Sequence, residues 1–204
     1  MQAFPPPYCD ALNVDGTLRA YGYAVLSPAA VAQWAGCNLA DLAALTSSWN
    51  GMPTDAYLKD GGRYRSRRHS CFVVQGGQAD AVAHRAHWQP VEYNALHGGM
   101  QRWFEPMLPD TIAAPAWQPL IGALASTASA LFGADAAAPW FTEAHQFRID
   151  TADGIGRPTP EGAHRDGVDL VAVFLIDRHN IKGGETRVFD ATGPQGLRFT
   201  LEEP

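Results

Sequence analysis

The sequence predicts an α+β fold in which helices pack against a set of strands. Helices are indicated at Ser27-Pro28, where a capping serine precedes a proline, and over residues 115–133, an apolar stretch that ends at a glycine. Strands are indicated by the alternation of FTEAHQFRID (141–150) and by VDLVAVFLI (168–176), which is apolar at odd and even positions, as in a strand buried on both faces. With 204 residues, the chain is long enough for one such domain with a buried core.

The elements between these landmarks follow from turn residues and alternation. Residues 1–17, which contain three consecutive prolines, are expected to form a flexible leader, and residues 18–204 a single domain. The other segments are predicted, in order, as a strand at 18–26, helices at 28–36 and 39–49, a strand at 70–74, a turn at 75–78, a returning strand at 79–88 and a strand at 185–190.

Composition excludes several classes of function. The formal net charge of −6 argues against non-specific binding to nucleic acid, and no run of about 18 apolar residues predicts a membrane helix. Cys9, Cys37 and Cys71 are too few and too scattered for a disulfide framework or a zinc site. Residues 1–10 lack the basic and apolar regions of a secretion signal, so a cytoplasmic protein is expected.

His164 and Asp166 stand two residues apart, just before the apolar stretch 168–176. In an extended segment they point to the same side, so an imidazole and a carboxylate would face one cavity. They would supply two ligands of the 2-His-1-carboxylate set that holds Fe(II) in non-haem oxygenases and leaves positions open for oxygen and a cosubstrate. An isolated His-x-Asp is more often a loop whose carboxylate accepts backbone N–H bonds, but the predicted buried strand and the Gly-Gly-Glu at 183–185 favour a metal here.

Longer motifs make the sequence similar to one known family. These motifs are PTPEGAHRDGVDLVAVFLI, RHNIKGGET, DGGRYRSRRHS, PVEYNALHGG, RWFEPM and EAHQFRID. They resemble the bacterial 2-oxoglutarate/Fe(II)-dependent dioxygenases that include L-isoleucine 4-hydroxylase and related free L-amino-acid hydroxylases, and the resemblance covers most of residues 18–201. It implies a double-stranded β-helix core (jelly-roll, cupin-like) with the N-terminal helices packed on it. It further implies Fe(II), 2-oxoglutarate and O2, with His164 and Asp166 as the first two iron ligands and isoleucine, leucine or methionine as the kind of substrate hydroxylated.

The family pattern also includes residues that this chain does not contain. In that family a second histidine ligand and a basic residue for the 2-oxoglutarate tail lie on later strands, whereas no histidine follows His179 here. The resemblance therefore implies that the third iron ligand, the 2-oxoglutarate-binding residue and the C-terminal strands lie beyond Pro204. His145 is not expected to be the third ligand, because the family takes it from a later strand.

Arginines are the strongest candidates for binding a substrate carboxylate, because a guanidinium can grip it with two parallel hydrogen bonds. Tyr64 and Arg65, within a cluster of four arginines at 63–68, and Arg148 are assigned to the amino acid. The cluster can equally be a solvated face, and Arg148 can bind only if its side of the strand faces the cavity.

Three further residues are candidates for the substrate pocket. Glu161 could meet a substrate ammonium or could cap its own loop, and the resemblance implies that Tyr93 and His97 line the pocket. His84 and His87 have opposite parity and are expected to be structural. Two rival interpretations remain: a cupin-like metal-binding protein without oxygenase activity, and a catalytically incomplete fragment.

Overall fold

The computed structural model describes residues 4–94, 96–152, 154–158 and 162–204, which form short helices and antiparallel strands. The helices are α1 (Val14–Tyr21), α2 (Pro28–Ala35), α3 (Leu39–Ala44), α4 (Pro109–Ile112) and α5 (Trp117–Phe132). The strands are β1 (Arg65–Gln75), β2 (Gln78–Ala81), β3 (Trp140–Ile149), β4 (Glu185–Phe189) and β5 (Gly196–Thr200). Turns of 3-10 helix at Ala11–Asn13 and Leu45–Trp49 precede α1 and follow α3. This mixture of helices and sheets confirms the α+β prediction.

The strands lie in two antiparallel sheets. The larger sheet has the order β2-β1-β3, and the smaller one pairs β4 with β5. Gly76 and Gly77 join β1 to β2 with φ angles of 58° and 79°, the left-handed conformations that two-residue hairpin turns require. The turn predicted at 75–78 and the strand predicted at 141–150 are therefore confirmed.

Strand β1 separates an apolar core from a polar surface. On one side, Phe72 and Val74 are buried against α5, and the ring centroids of Phe72 and Trp117 lie 5.3 Å apart. On the other side, β1 carries residues that pair directly with residues of β3, and cross-strand partners share a face of the sheet. This side is called the polar face below and consists of Arg65, Arg67, His69, Cys71, Glu143, His145 and Phe147.

Helix boundaries follow the local signals in the sequence. The Ser27 hydroxyl accepts a hydrogen bond from the backbone N–H of Ala30 (3.3 Å) at the start of α2, and Gly36 ends that helix with φ of 70°. Gly133 ends α5 in the same conformation. The helices predicted at 28–36 and 115–133 are therefore confirmed. None of the helices in the described ranges is long and apolar enough to cross a membrane.

The strand predicted at 18–26 is wrong, because α1 runs through Tyr21. The Asp10 carboxylate caps the preceding turn by accepting a hydrogen bond from the N–H of Leu12 (2.8 Å). Helix α1 then begins at Val14, inside the segment expected to be a leader, and Gly22 ends it with φ of 75°. The weak alternation at 18–26 is therefore overridden by a capped turn before α1 and by the glycine that ends α1.

The strand predicted at 168–176 is also wrong in the structure. Residues 168–176 run without regular hydrogen bonding, and no described strand pairs with them. Val168, Val171 and Val173 are exposed, whereas Phe174 and Ile176 pack against the small core around α5 and the turn that follows α3. A strand needs a neighbour to take its N–H and C=O groups, and the described residues provide none here.

Candidate active site

The side chains of His164 and Asp166 meet in the loop between β3 and β4, with His164 Nε2 3.3 Å from Asp166 Oδ1. His164 Nδ1 lies 2.9 Å from the carbonyl oxygen of Gly162. Because a carbonyl only accepts, this contact places the proton on Nδ1 and leaves the lone pair of Nε2 directed towards Asp166. Two ligand atoms of one octahedral ion with bonds of roughly 2.1 Å lie about 3 Å apart, so the pair is spaced to hold one metal ion.

Gln89 fixes the carboxylate of this pair. Its Nε2 donates to Asp166 Oδ1 (3.1 Å), while its Oε1 accepts from Asn94 Nδ2 (3.0 Å) and from Arg102 Nη2 (2.9 Å). The two donors to Oε1 determine which way the amide faces, so Nε2 is held towards Asp166. Such an outer hydrogen bond orients a metal-binding carboxylate and tunes its affinity.

Tyr93 covers the backbone immediately after Asp166. Gly167 has φ of +71°, and a β-carbon placed there would lie 2.5 Å from a carbon of the Tyr93 ring. Only glycine fits this position without displacing the ring or the loop. His97, on the same segment as Tyr93, is buried, and its backbone N–H donates to Asn94 Oδ1 (2.8 Å). The structure therefore brings Gln89 and Tyr93 against the loop that carries His164 and Asp166.

A second group of metal-binding side chains lies on the polar face. His69, His87, Glu143 and His145 each offer one ligand atom, and these atoms lie within 4.8 Å of one another. Glu143 Oε2 is at the centre, 2.6 Å from His87 Nδ1 and 3.6 Å from both His69 Nε2 and His145 Nε2. His87 reaches the face from a short bridge to Arg102, outside the sheet proper.

Hydrogen bonding determines the charge of this group. Arg67 Nη2 lies 3.0 Å from His145 Nδ1, and since arginine only donates, Nδ1 is the acceptor and Nε2 carries the proton. Burial lowers the pKa of His145 well below its usual value, with Arg67 adding to the effect, and burial also lowers the pKa of His87. Burial alone would raise the pKa of Glu143, but hydrogen bonds from the three imidazoles hold that pKa well below its usual range. At neutral pH Glu143 is therefore an ionised carboxylate beside the neutral imidazoles of His87 and His145.

Arg67 is a buried cation beside this carboxylate. The side chain is 6% exposed, and its guanidinium carbon lies 4.1 Å and 4.5 Å from the ring centroids of Phe104 and Phe147. Burial lowers the pKa of Arg67 to about 9, with Arg102 and Arg65 contributing, so the group remains charged at neutral pH. Its Nε is buried without a hydrogen-bond partner, and no carboxylate of the described residues lies within ion-pair distance of it.

Three of the residues that the sequence assigned to the substrate contact other protein groups or face away from the polar face. Arg65 is buried in an ion pair with Asp55 (2.7 Å) and also donates to the carbonyl of Pro158 (3.1 Å), and the Tyr64 hydroxyl donates to Asp60 (2.8 Å). Arg148 is exposed on the side of β3 opposite the polar face. Glu161 lies outside the described residues.

The polar face contains functional candidates that sequence reasoning missed. Glu143 and His145 alternate in the predicted strand, as His69 does with Arg65 and Arg67, and this shared period of two was the available signal. No local signal identified His87, whose parity relative to His84 indicated a structural role. What joins these residues is the register of β1 against β3, which pairs His69 with His145 and Cys71 with Glu143.

Both groups fit a metal such as Fe(II), which accepts mixed sets of imidazole and carboxylate ligands. His164 and Asp166 provide one nitrogen and one oxygen beside open space, with 25% and 37% of their side chains exposed. The group on the polar face provides three nitrogens and one oxygen.

Comparisons with known proteins identify the family. The sequence profile of the 2OG-Fe dioxygenases matches residues 46–204. The crystal structure of a BsmA homologue from Methylobium petroleophilum PM1 is 50% identical, with a TM-score of 0.89 over 100% of this chain and 81% of that chain. The structure of IDO from Bacillus thuringiensis is 17% identical, with a TM-score of 0.70 over 96% of this chain and 83% of that chain, which shows a shared fold. Among curated proteins, none matches this chain significantly. Because the profile spans more than half of the chain, this protein belongs to the 2OG-Fe dioxygenase family and is an oxygenase that uses Fe(II), 2-oxoglutarate and O2.

Proposed function

We propose that this oxygenase hydroxylates a free aliphatic L-amino acid and that His164 and Asp166 are two ligands of its iron. The observation that carries the site is the 3.3 Å separation of Nε2 and Oδ1, with both atoms oriented by neighbours and open on one side. The substrate class is supported by the motifs shared with the free amino-acid hydroxylases. We also propose that the antiparallel sheets belong to a double-stranded β-helix, as in that family.

The polar face is a poorer place for the iron. Glu143 is already surrounded by three imidazoles, and an ion bound there would replace their hydrogen bonds to its carboxylate. It would also lie near the Arg67 guanidinium, which is 3.0 Å from His145, and like charges repel strongly where water is excluded. Among the described residues, neither obstacle is found at His164 and Asp166, whose exposure leaves coordination positions free for oxygen and 2-oxoglutarate.

The bound iron would supply the activation of O2, coupled to the oxidation of 2-oxoglutarate, that breaks an aliphatic C–H bond. The protein fixes the ligands through two contacts. The Gly162 carbonyl holds His164 in the tautomer whose Nε2 can bind a metal, and Gln89 holds the Asp166 carboxylate. The Tyr93 ring packs against Gly167, the residue that follows the Asp166 ligand.

Metal binding by alanine variants tests the site. His164→Ala and Asp166→Ala should each abolish Fe(II) binding and 2-oxoglutarate turnover while the circular dichroism spectrum stays unchanged, because both side chains lie in an exposed loop. His179→Ala is a matched control, since His179 also lies close to an aspartate (3.1 Å from Asp177) in an exposed loop but is assigned no role. Iron retained by His164→Ala and Asp166→Ala but lost from His69→Ala would place the metal on the polar face instead.

Succinate release tests the substrate class. With purified enzyme, Fe(II) and 2-oxoglutarate, release should increase on addition of free L-isoleucine, L-leucine or L-methionine. Stimulation by peptides, nucleobases or lipids alone would contradict the assignment.

A further inference from the structure

Arg67 has the environment expected of a residue that binds an anionic ligand. It is buried, it lacks a carboxylate partner among the described residues, and its Nε makes no hydrogen bond. By contrast, Arg65, two residues earlier on the same face, is neutralised by Asp55 at 2.7 Å. A buried charge is costly unless it is paired, so a negatively charged ligand beside Arg67 would offset that cost.

The polar face also presents a carboxylate and an apolar surface to that ligand. Glu143 is 34% exposed, and among the described residues its Oε1 has only a 4.0 Å contact, with Cys71 Sγ. Phe147 is 41% exposed and lies under the Arg67 guanidinium. Glu143 and Phe147 point to the same side of β3, with His145 between them, and Phe147 pairs with Arg67 on β1. Arg67, Glu143 and Phe147 therefore lie along one row of the polar face.

The spacing of the two charges suits the head group of an amino acid. Arg67 and Glu143 are separated by the width of the His145 ring, with contacts of 3.0 Å at Nδ1 and 3.6 Å at Nε2. A zwitterionic head group with one hydrogen bond at each end spans a similar distance. The neutral His145 keeps the two side chains apart, so neither charge is cancelled by the other.

The row also lies close to the proposed iron ligands. His87 and Gln89 are two residues apart in the chain, and His87 lies in a short bridge with Arg102. His87 contacts Glu143 at 2.6 Å, and Gln89 contacts Asp166 at 3.1 Å. Residues 87–89 thus connect the polar face with the proposed iron ligands, and a molecule bound on that face would lie near His164 and Asp166.

We propose that Arg67 binds the α-carboxylate of the amino-acid substrate, that Glu143 binds its α-ammonium, and that Phe147 contacts its aliphatic side chain. This assignment rests on the proposed function and adds to it the residues that select an amino acid. It moves the carboxylate site from Arg65, which is paired with Asp55, and from Arg148, which faces away, to the arginine that has no carboxylate partner among the described residues. The same guanidinium chemistry would also suit a carboxylate of 2-oxoglutarate, and the experiment separates these two sources.

Calorimetric titration under exclusion of oxygen tests the assignment without turnover. The enzyme is loaded with Fe(II) and 2-oxoglutarate and titrated with L-leucine, with leucinamide, which lacks the carboxylate, and with 4-methylpentanoate, which lacks the ammonium. The wild type should bind each analogue about 10- to 100-fold more weakly than L-leucine, the loss expected when a charged hydrogen bond is removed. If L-isoleucine or L-methionine binds more tightly, that amino acid and its two matching analogues replace the leucine series.

The variants should lose discrimination in a crossed pattern. Arg67→Met should bind L-leucine and leucinamide nearly equally and still prefer L-leucine to 4-methylpentanoate. Glu143→Gln should do the reverse. General misfolding cannot produce opposite losses in two variants, and the wild-type series tests the proposal even if one variant fails to fold. Arg187→Met in β4 and Glu202→Gln just after β5, both at exposed residues, are controls that should bind all three ligands as the wild type does.

Each other outcome is informative. If L-leucine binds wild type and both variants equally, the head group lies elsewhere and this inference is wrong, while the proposed function stands. If Arg67→Met weakens the binding of 2-oxoglutarate instead, Arg67 serves the cosubstrate and the inference is equally wrong. If no free amino acid binds the wild type, the proposed substrate class fails and this inference falls with it.

Discussion

The substitution Asp55→Asn should destabilise the protein more than the loss of a surface ion pair would. The Asp55 side chain is fully buried and accepts two hydrogen bonds, from Arg65 Nε (2.7 Å) and from the backbone N–H of Tyr57 (2.8 Å). Asp55→Asn keeps the size of the side chain and an acceptor for Tyr57, but it leaves the Arg65 guanidinium buried with the Pro158 carbonyl as its remaining acceptor. Breaking a buried pair in this way costs about 3–5 kcal/mol, because an uncompensated charge remains inside.

A double-mutant cycle assigns this cost to the pair. Arg65→Met leaves the Asp55 carboxylate buried and should cost a similar amount, whereas Asp55→Asn combined with Arg65→Met leaves no charge. The double variant should therefore be destabilised by roughly 2–3 kcal/mol less than the sum of the two single variants. Unfolding in urea, followed by tryptophan fluorescence and by circular dichroism, gives the free energies of unfolding of the wild type and of the three variants.

Arg187 and Glu185 provide the matched control, because their ion pair has the same length of 2.7 Å but the arginine side chain is 63% exposed. Arg187→Met should cost less than about 1 kcal/mol. Equal costs for Asp55→Asn and Arg187→Met would refute the reasoning that burial makes the first pair structural. Arg65 would then become available again as a ligand for a substrate carboxylate.

Two further predictions concern the metal support and the core. Gln89→Ala removes the donor to Asp166 and should weaken Fe(II) binding about 10- to 100-fold, with an unchanged fold by circular dichroism; an unchanged metal affinity would mean that Asp166 needs no such support. Trp117→Ala removes a buried ring packed on Phe72 and should lower the free energy of unfolding by about 3–5 kcal/mol in urea, and a loss below about 1 kcal/mol would show that the core around α5 repacks.

The elements that the sequence predicted well depend on neighbouring residues. Ser27 caps its own helix, Gly133 ends another, and Gly76 with Gly77 makes a turn, all within a few residues of chain. The strand predicted at 168–176 depends instead on a partner, and apolar composition alone cannot supply the hydrogen bonds of a sheet. At residues 18–21 the local signals were present but were not used. The cap at Asp10 and the glycine at the end of α1 favour a helix over the strand that a weak alternation predicted.

The same distinction between local and long-range information applies to the candidate site. His164 and Asp166 could be found from sequence because both ligands lie on one short segment, and their spacing of two carries the geometry. The group around Glu143 joins residues more than fifty positions apart, His87 among them, and only the folded chain shows that they meet. Parity along β3 was visible in the sequence, but the side of the strand that faces α5 was not, and this choice separates Arg148 from the polar face.

The register of β1 against β3 links the stability of the protein to its proposed chemistry. A shift of one residue in β1 would turn Phe72 away from α5 and would move Arg67 to the core side, because alternate residues point to opposite faces. The contact between Phe72 and Trp117 therefore fixes which arginine reaches the polar face, although neither ring touches a ligand. The apolar side of β1 resists a slip that the polar side, with its buried charges, would not resist by itself. The precision of a site built from Arg67, Glu143 and the imidazoles between them thus derives from the packing on the reverse side of the same strand.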